Sequence, residues 1–121
     1  MLRYALFALS LLPGAALAET VWQNGGAQVI TANYACSGGM DELSVAYFNA
    51  PDGTSFAAVH IAGQVHAMVQ DISGSGARYV DIDEQSGYRI HTKGEGLLLL
   101  KLAADDAAEE ELLAECAVQK G

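Results

Sequence analysis

Residues 78–94 read RYVDIDEQSGYRIHTKG, and the way this stretch divides decides the fold. RYVDID (78–83) and YRIHT (88–92) are rich in β-branched and aromatic residues, and four turn-forming residues, Glu84, Gln85, Ser86 and Gly87, stand between them. Two such runs around a short polar loop form one antiparallel hairpin. Centring the pairing between Gln85 and Ser86 sets Tyr79 opposite Thr92, Arg78 opposite Lys93 and Ala77 opposite Gly94. The loop SGSGA (73–77) and the turn TKGE (92–95) then emerge at the same end. With neighbouring strands about 4.8 Å apart, Ser75 and Lys93 share one surface patch.

The same rhythm runs outward on both sides. AQVITANYAC (27–36), ELSVAYFNA (42–50), TSFAAVHIA (54–62), QVHAMVQDIS (64–73) and EGLLLLKLA (95–103) are strand-length runs, broken at Ser37-Gly38-Gly39, Pro51-Asp52-Gly53, Gly63 and Gly74-Ser75-Gly76. This punctuation predicts an all-β antiparallel meander, a barrel or a sandwich. Leu43, Val45 and Tyr47 face one way while Ser44, Ala46 and Phe48 face the other. Both faces are thus partly apolar, which suits a small closed barrel with a partly covered exterior. The segment ADDAAEEELLAEC (104–116) breaks the pattern. Its Ala, Glu and Leu content, with Asp105 or Asp106 as cap and acids in the first turn, predicts a short helix over about 105–114, with Leu112 and Leu113 lying on the barrel.

MLRYALFALSLLPGAALA (1–18) has an early Arg3, an apolar run from Tyr4 to Leu12 and a small-residue end, Ala16-Leu17-Ala18. It reads as an export signal. Pro13 and Gly14 interrupt it well short of the about 20 apolar residues that a membrane span needs. Residues 19–121 are then a single domain. No cysteine near the cut offers a lipid-attachment site, so a soluble exported protein with no membrane anchor is expected.

The chain holds 6 Lys+Arg against 15 Asp+Glu, a net charge of −9, and removing Arg3 gives 5 − 15 = −10. Such a surface repels nucleic acid and anionic membranes and steers basic partners toward it. Cys36 and Cys116 are the only two cysteines. In an exported chain an even pair reads as a disulfide, and without Cys-x-x-Cys spacing the two thiols make a poor metal site.

In so acidic a chain, YRIHTKG (88–94) concentrates Arg89, His91 and Lys93. Gly94 permits the positive φ of a tight turn, which sets Lys93 at its tip. A solvated turn lysine is the ordinary reading of such a residue. Its company argues for more: Ser75 between two glycines, Arg78 across the hairpin, and an acidic body behind. A Ser75/Lys93 catalytic dyad would need a lysine deprotonated by burial, whereas this lysine sits on a turn, and Gly-x-Ser-x-Gly and Ser-x-x-Lys patterns are missing. A hollow barrel for a small apolar ligand is the alternative binding module, although about one hundred residues with many inward aliphatics favour a filled one. His60 and His66 are symmetric about Gly63, so a hairpin there sets them opposite each other, but two ligands without a third make a poor metal site.

SGSGARY (73–79) and YRIHTKG (88–94) resemble the two signature motifs of the MliC/PliC family, bacterial inhibitors of c-type lysozyme. Those motifs, Ser-Gly-x-x-Tyr and Tyr-x-x-x-Thr-Lys-Gly, fall on Ser75, Gly76 and Tyr79 and on Tyr88, Thr92, Lys93 and Gly94. The likeness extends over about 34–116, through YAC (34–36), NAPDG (49–53) and the late cysteine. The resemblance implies an eight-stranded antiparallel barrel, and an inhibitor rather than an enzyme. Its motif loops would enter the lysozyme cleft, Lys93 reaching the two catalytic carboxylates and Ser75 bonding beside it. Tyr79, Tyr88 and Thr92 would shape the loops. The implied partner is c-type lysozyme, the implied place is the periplasm, no cofactor or metal is called for, and homodimerisation is left open.

Overall fold

The computed structural model describes residues 19–40, 42–72, 74–103 and 109–119. The expected export signal at 1–18 and residues 105–108 of the expected helix lie outside them. The described residues form β1 (Glu19–Asn24), β2 (Ala27–Cys36), β3 (Glu42–Asn49), β4 (Ser55–Ile61), β5 (Gln64–Asp71), β6 (Ala77–Asp81), β7 (Tyr88–Lys93), β8 (Gly96–Leu102) and β9 (Glu110–Val118). Each strand pairs antiparallel with the next, and β2 also pairs with β9. That last pairing closes β2–β9 into an eight-stranded barrel. β1 and β9 share one edge of β2, β1 running from Glu19↔Ala32 to Asn24↔Ala27 and β9 from Tyr34↔Val118 to Cys36↔Cys116.

Alternation explains the core. On β3, Leu43, Val45 and Tyr47 are buried while Ser44 and Phe48 are exposed, as the sequence pattern requires. Leu43, Val59, Met68, Ile90, Leu97 and Leu99 are fully buried. The barrel centre is therefore filled by side chains, which leaves an apolar ligand no room there.

The predicted helix is not formed where it can be seen: residues 110–114 belong to β9. Ala, Glu and Leu favour a helix by only some tenths of a kcal/mol per residue, and tertiary pairing outweighs that. β9 pairs with β8 from Gly96↔Ala117 to Leu102↔Glu110, around one irregularity at Leu99/Leu100. It turns Ala114 and Cys116 inward against the buried Leu97 and Leu99. Cys116 then faces Cys36, and the two form the expected disulfide, closing a sequence separation of 80.

Two registers differ from expectation. In the β6–β7 hairpin Arg78 pairs with His91 and Tyr79 with Ile90, two residues away from Arg78 opposite Lys93. Asp side chains end β6 early: Asp81 accepts from Asp83 N (2.9 Å) and from Ser86 Oγ, and Asp83 accepts from Gln85 N (3.0 Å). A slip of two keeps every side chain on its expected face. In the β4–β5 hairpin His60 pairs with Val65 and Val59 with His66, so the two histidines face opposite sides instead of each other. Ala62 takes a positive φ of 52° beside Gly63 at 83°, which centres the two-residue turn between them, the form hairpin twist prefers. His66 turns inward, and its Nδ1 lies 2.7 Å from Asp81 Oδ2. Burial alone would raise the Asp81 carboxyl, but the bonds from Ser86, Asp83 N and His66 outweigh it and hold it below its ordinary value.

Closing a loop of 80 residues removes about 4 kcal/mol of denatured-state freedom. Replacing both cysteines by serine is therefore expected to lower stability by roughly that amount and the melting temperature by roughly 20 °C, read by thermal denaturation followed by circular dichroism.

Candidate functional site

β7 and β8 pair as far as Lys93↔Gly96, which leaves Gly94 and Glu95 as a two-residue turn. Gly94 has φ +60° while Glu95 is not in the left-handed region, the pattern of a II′ turn, which asks for glycine first. Lys93 is the last residue of β7 and is exposed.

The loop carrying Ser75 is pressed against this strand end. Gly76 has φ +69°, and a Cβ placed there would lie 2.1 Å from Thr92 O and 3.2 Å from Lys93 Cβ. Glycine is thus required twice, by backbone angle and by space. His91 Nε2–H donates to Ser75 O (2.9 Å), and Thr92 Oγ1 donates to Ala77 O (3.4 Å). Ser75, Gly76, Thr92, Lys93 and Gly94 therefore form one cluster, although the hairpin register that first suggested it was two residues off.

Tyr79 supports the cluster from inside. Its ring is buried, 5.7 Å from that of Tyr47, and its hydroxyl lies 2.8 Å from Ser55 Oγ. Tyr34 and Tyr47 share a hydrogen bond of 2.7 Å. Burial pushes both of these hydroxyls above their ordinary range, so they are neutral posts. These three rings, with Glu19, Thr92 and Gly94, line a small mouth of about 190 Å³ at this end of the barrel.

Two sequence candidates lie elsewhere. Tyr88 begins β7, opposite Lys101, about 17 Å of strand away from Lys93. Its ring meets His66 edge-on at 5.0 Å and carries the Lys101 ammonium 5.2 Å above it. Arg78 and Arg89 both bind the Glu110 carboxylate, Arg89 at 3.1 Å. Burial would raise Glu110, but the two guanidinium groups outweigh it and hold the carboxyl below its ordinary value. Arg78 thus fastens β6 to β9 and does not stand beside Lys93. Lys93 makes no ion pair with any described residue. Sequence reasoning left one contributor without a role and missed another. His91 was legible, since residues i and i+2 of a strand share a face and His91 shares that of Lys93. Glu110 was hidden by the helix expectation.

Chemically the cluster offers an exposed ammonium on a braced turn with a serine loop beside it. An exposed lysine lacks the burial that a general base requires. The arrangement suits recognition of carboxylate groups by charge and hydrogen bond.

Among solved structures, PliC-St, the periplasmic lysozyme inhibitor of C-type lysozyme from Salmonella typhimurium, has the same fold: TM-score 0.60 at 24% identity, covering 75% of this chain and 98% of that chain. No curated protein matches. The family profile described as membrane-bound lysozyme-inhibitor of c-type lysozyme matches residues 34–108, a span that contains both the Ser75 loop and the Lys93 turn, and the chain belongs to this MliC family.

Proposed function

We propose that the protein blocks c-type lysozyme by inserting the Lys93 turn and the Ser75 loop into the enzyme's active-site cleft. The observation that carries this reading is the approach of Gly76 to Thr92 and Lys93, which makes one rigid tip out of two separate motifs. Lysozyme works with a carboxylic acid of raised pKa and a second, ionised carboxylate. An ammonium group between them meets the negative charge that otherwise faces the sugar cation, and the tip fills the cleft. A compact charge on a thin stem suits a narrow slot better than a guanidinium fork does. Ser75 hydrogen-bonds beside it. The acidic body, −9 over the whole chain, steers a basic enzyme toward the tip. The leader-like sequence of residues 1–18 supports a periplasmic setting for this work.

Titration of residual c-type lysozyme activity tests the tip directly. Lys93→Ala is expected to weaken inhibition by about 2 to 5 kcal/mol, tens- to thousands-fold, as for a lost partner of a buried charge pair. Ser75→Ala loses less, about 0.5 to 1.5 kcal/mol. Equal inhibition by Lys93→Ala and the parent protein would sink the reading.

The two loop glycines separate brace from tip. Gly76→Ala is expected to cost roughly 2 to 4 kcal/mol in stability, in inhibition or in both, through left-handed strain and overlap with the Thr92 carbonyl. Gly74→Ala, with nothing within 4 Å and no left-handed φ, should leave both unchanged.

Raising ionic strength from about 0.05 to about 0.5 M is expected to slow association while leaving dissociation nearly constant. Stopped-flow or surface-binding kinetics would show it.

A further inference from the structure

One element stands outside the ring of eight strands. β9 ends at Val118, opposite Tyr34 of β2, and Val118 N donates to Glu95 O in the Lys93 turn. β2 continues past that level from Ala32 back to Ala27, and there β1 takes its edge. The β1–β2 hairpin thus runs about 20 Å beyond the base of the turn. Every residue of β1 is exposed, on both faces of the strand. Most of the hairpin precedes residue 34, where the span shared with the family begins.

Its inner face carries an ordered row of polar side chains. Gln23, Gln28, Asn49 and Ser55 lie side by side across four strands, on the side that Tyr47 and Ser55 turn to the core. Ser55 Oγ donates to Asn49 Oδ1 (2.6 Å), which uses its one proton, so the Tyr79 hydroxyl donates to Ser55 Oγ (2.8 Å). Asn49 Nδ2 donates to Gln28 Oε1 (2.9 Å). Every proton in this chain points the same way, outward from the buried Tyr79. Gln28 Nε2 stands at its end as a donor, and no described residue accepts from it. That end lies in a groove of about 460 Å³, where Gln23, Asn24, Gln28, Asn49 and the Gly25–Gly26 turn supply no charged side chain. Asn49 also lines the mouth beside Thr92 and Gly94. Groove, mouth and Lys93 turn therefore form one continuous concave strip.

We propose that the hairpin is a second anchor for lysozyme, in which Gln28 donates to a main-chain carbonyl on the rim of the cleft that Lys93 enters. This rests on the lysozyme reading of the tip. Continuity selects the occupant, since an enzyme whose cleft closes around Lys93 brings one wall across the mouth and onto the hairpin. Polarity selects the contact. The chain ends in a fixed donor and so asks for an acceptor, and an uncharged groove takes a neutral carbonyl without the cost of desolvating an ion. Tyr79, a residue of the first motif, begins the chain, so the core that supports the Ser75 loop also orients the Gln28 amide. The donor is aimed before the enzyme arrives, which spares its ordering on binding.

Dissociation of a c-type lysozyme from the purified protein, followed by surface-binding kinetics, tests the anchor. Gln28→Glu keeps an acceptor for Asn49 and turns the outgoing donor into a second acceptor. It is expected to release the enzyme about ten- to a hundredfold faster while melting at the parent's temperature. The added negative charge acts on association, which the same traces separate from release. Gln23→Arg sets a cation in the groove against a basic enzyme, at an exposed position that makes no internal bond, and should speed release at least about tenfold. Should Gln28→Glu melt lower, Gln23→Arg decides alone. Parent-like release in both variants overturns the proposal. Binding of N-acetylglucosamine oligomers by the free parent, lost in Gln28→Glu, would give the groove to a sugar carbonyl and overturn it as well. A parent protein that fails to inhibit fells the tip and the anchor together, whereas inhibition weakened by Lys93→Ala and untouched by the two hairpin variants fells the anchor alone.

Discussion

Closure of the barrel between β2 and β9 is the constraint on which the rest depends. Among the described residues, three paired positions, the Cys36–Cys116 bond and flanking bonds from Ser37 N to Glu115 O and from Gln119 N to Asn33 O make that seam. Without it, the sheet edges at β2 and β9 would lie open and the inward Ala32, Tyr34, Leu97 and Ala114 would lose the neighbours that bury them. The seam also lies at the base of the Lys93 turn. Val118 N donates to Glu95 O (2.9 Å), and Gln119 N donates to Asn33 O (2.9 Å), so the end of β9 ties the turn to β2. A covalent bond at the shortest pairing of the ring therefore steadies both the fold and the tip. The Arg78–Glu110–Arg89 clamp holds the other end of β9, which fixes that strand at both extremities.

The tip is held before any partner arrives. Gly94 turns the chain, Gly76 lets the second loop approach within reach of Thr92, and His91 holds the carbonyl of Ser75. Ordering such loops on binding would otherwise subtract from affinity, and pre-organisation avoids that loss. Charge is distributed to the same end. Arg78 and Arg89 share the Glu110 carboxylate and Lys101 lies over the Tyr88 ring, which leaves Lys93 as the exposed cation among the described residues.

The strands from Ala27 to Leu102 were legible because period-two alternation and glycine punctuation agree with each other. What failed did so where a side chain or a distant edge overrode a local rule. The β6–β7 register moved because Asp81 and Asp83 capture backbone N–H groups, which no propensity reports. The histidine pairing failed because Ala62, a residue that seldom adopts positive φ, does so here. β9 was misread because its Ala, Glu and Leu content speaks for a helix, and the unpaired edge that recruits it as a strand belongs to β8 and β2. β1 carries too few residues before Ala27 to announce itself. The site survived these errors because a two-residue slip preserves facing, and because Gly76 and Gly94 mark positions that the backbone itself dictates.

The separation of Tyr88 from Lys93 explains the spacing within the second motif. Tyr88, Ile90 and Thr92 face the barrel interior, and Arg89, His91 and Lys93 face out. Tyr88 packs at the far end against His66, and Thr92 packs at the near end against the Ser75 loop. An even interval between that tyrosine and that threonine keeps both inside, and the next residue is then the first that can point outward at the tip. One residue more or less would turn the lysine into the core or move it off the turn. The motif is thus a strand held by its inward residues at both ends, and the position of its charge follows from the pleat.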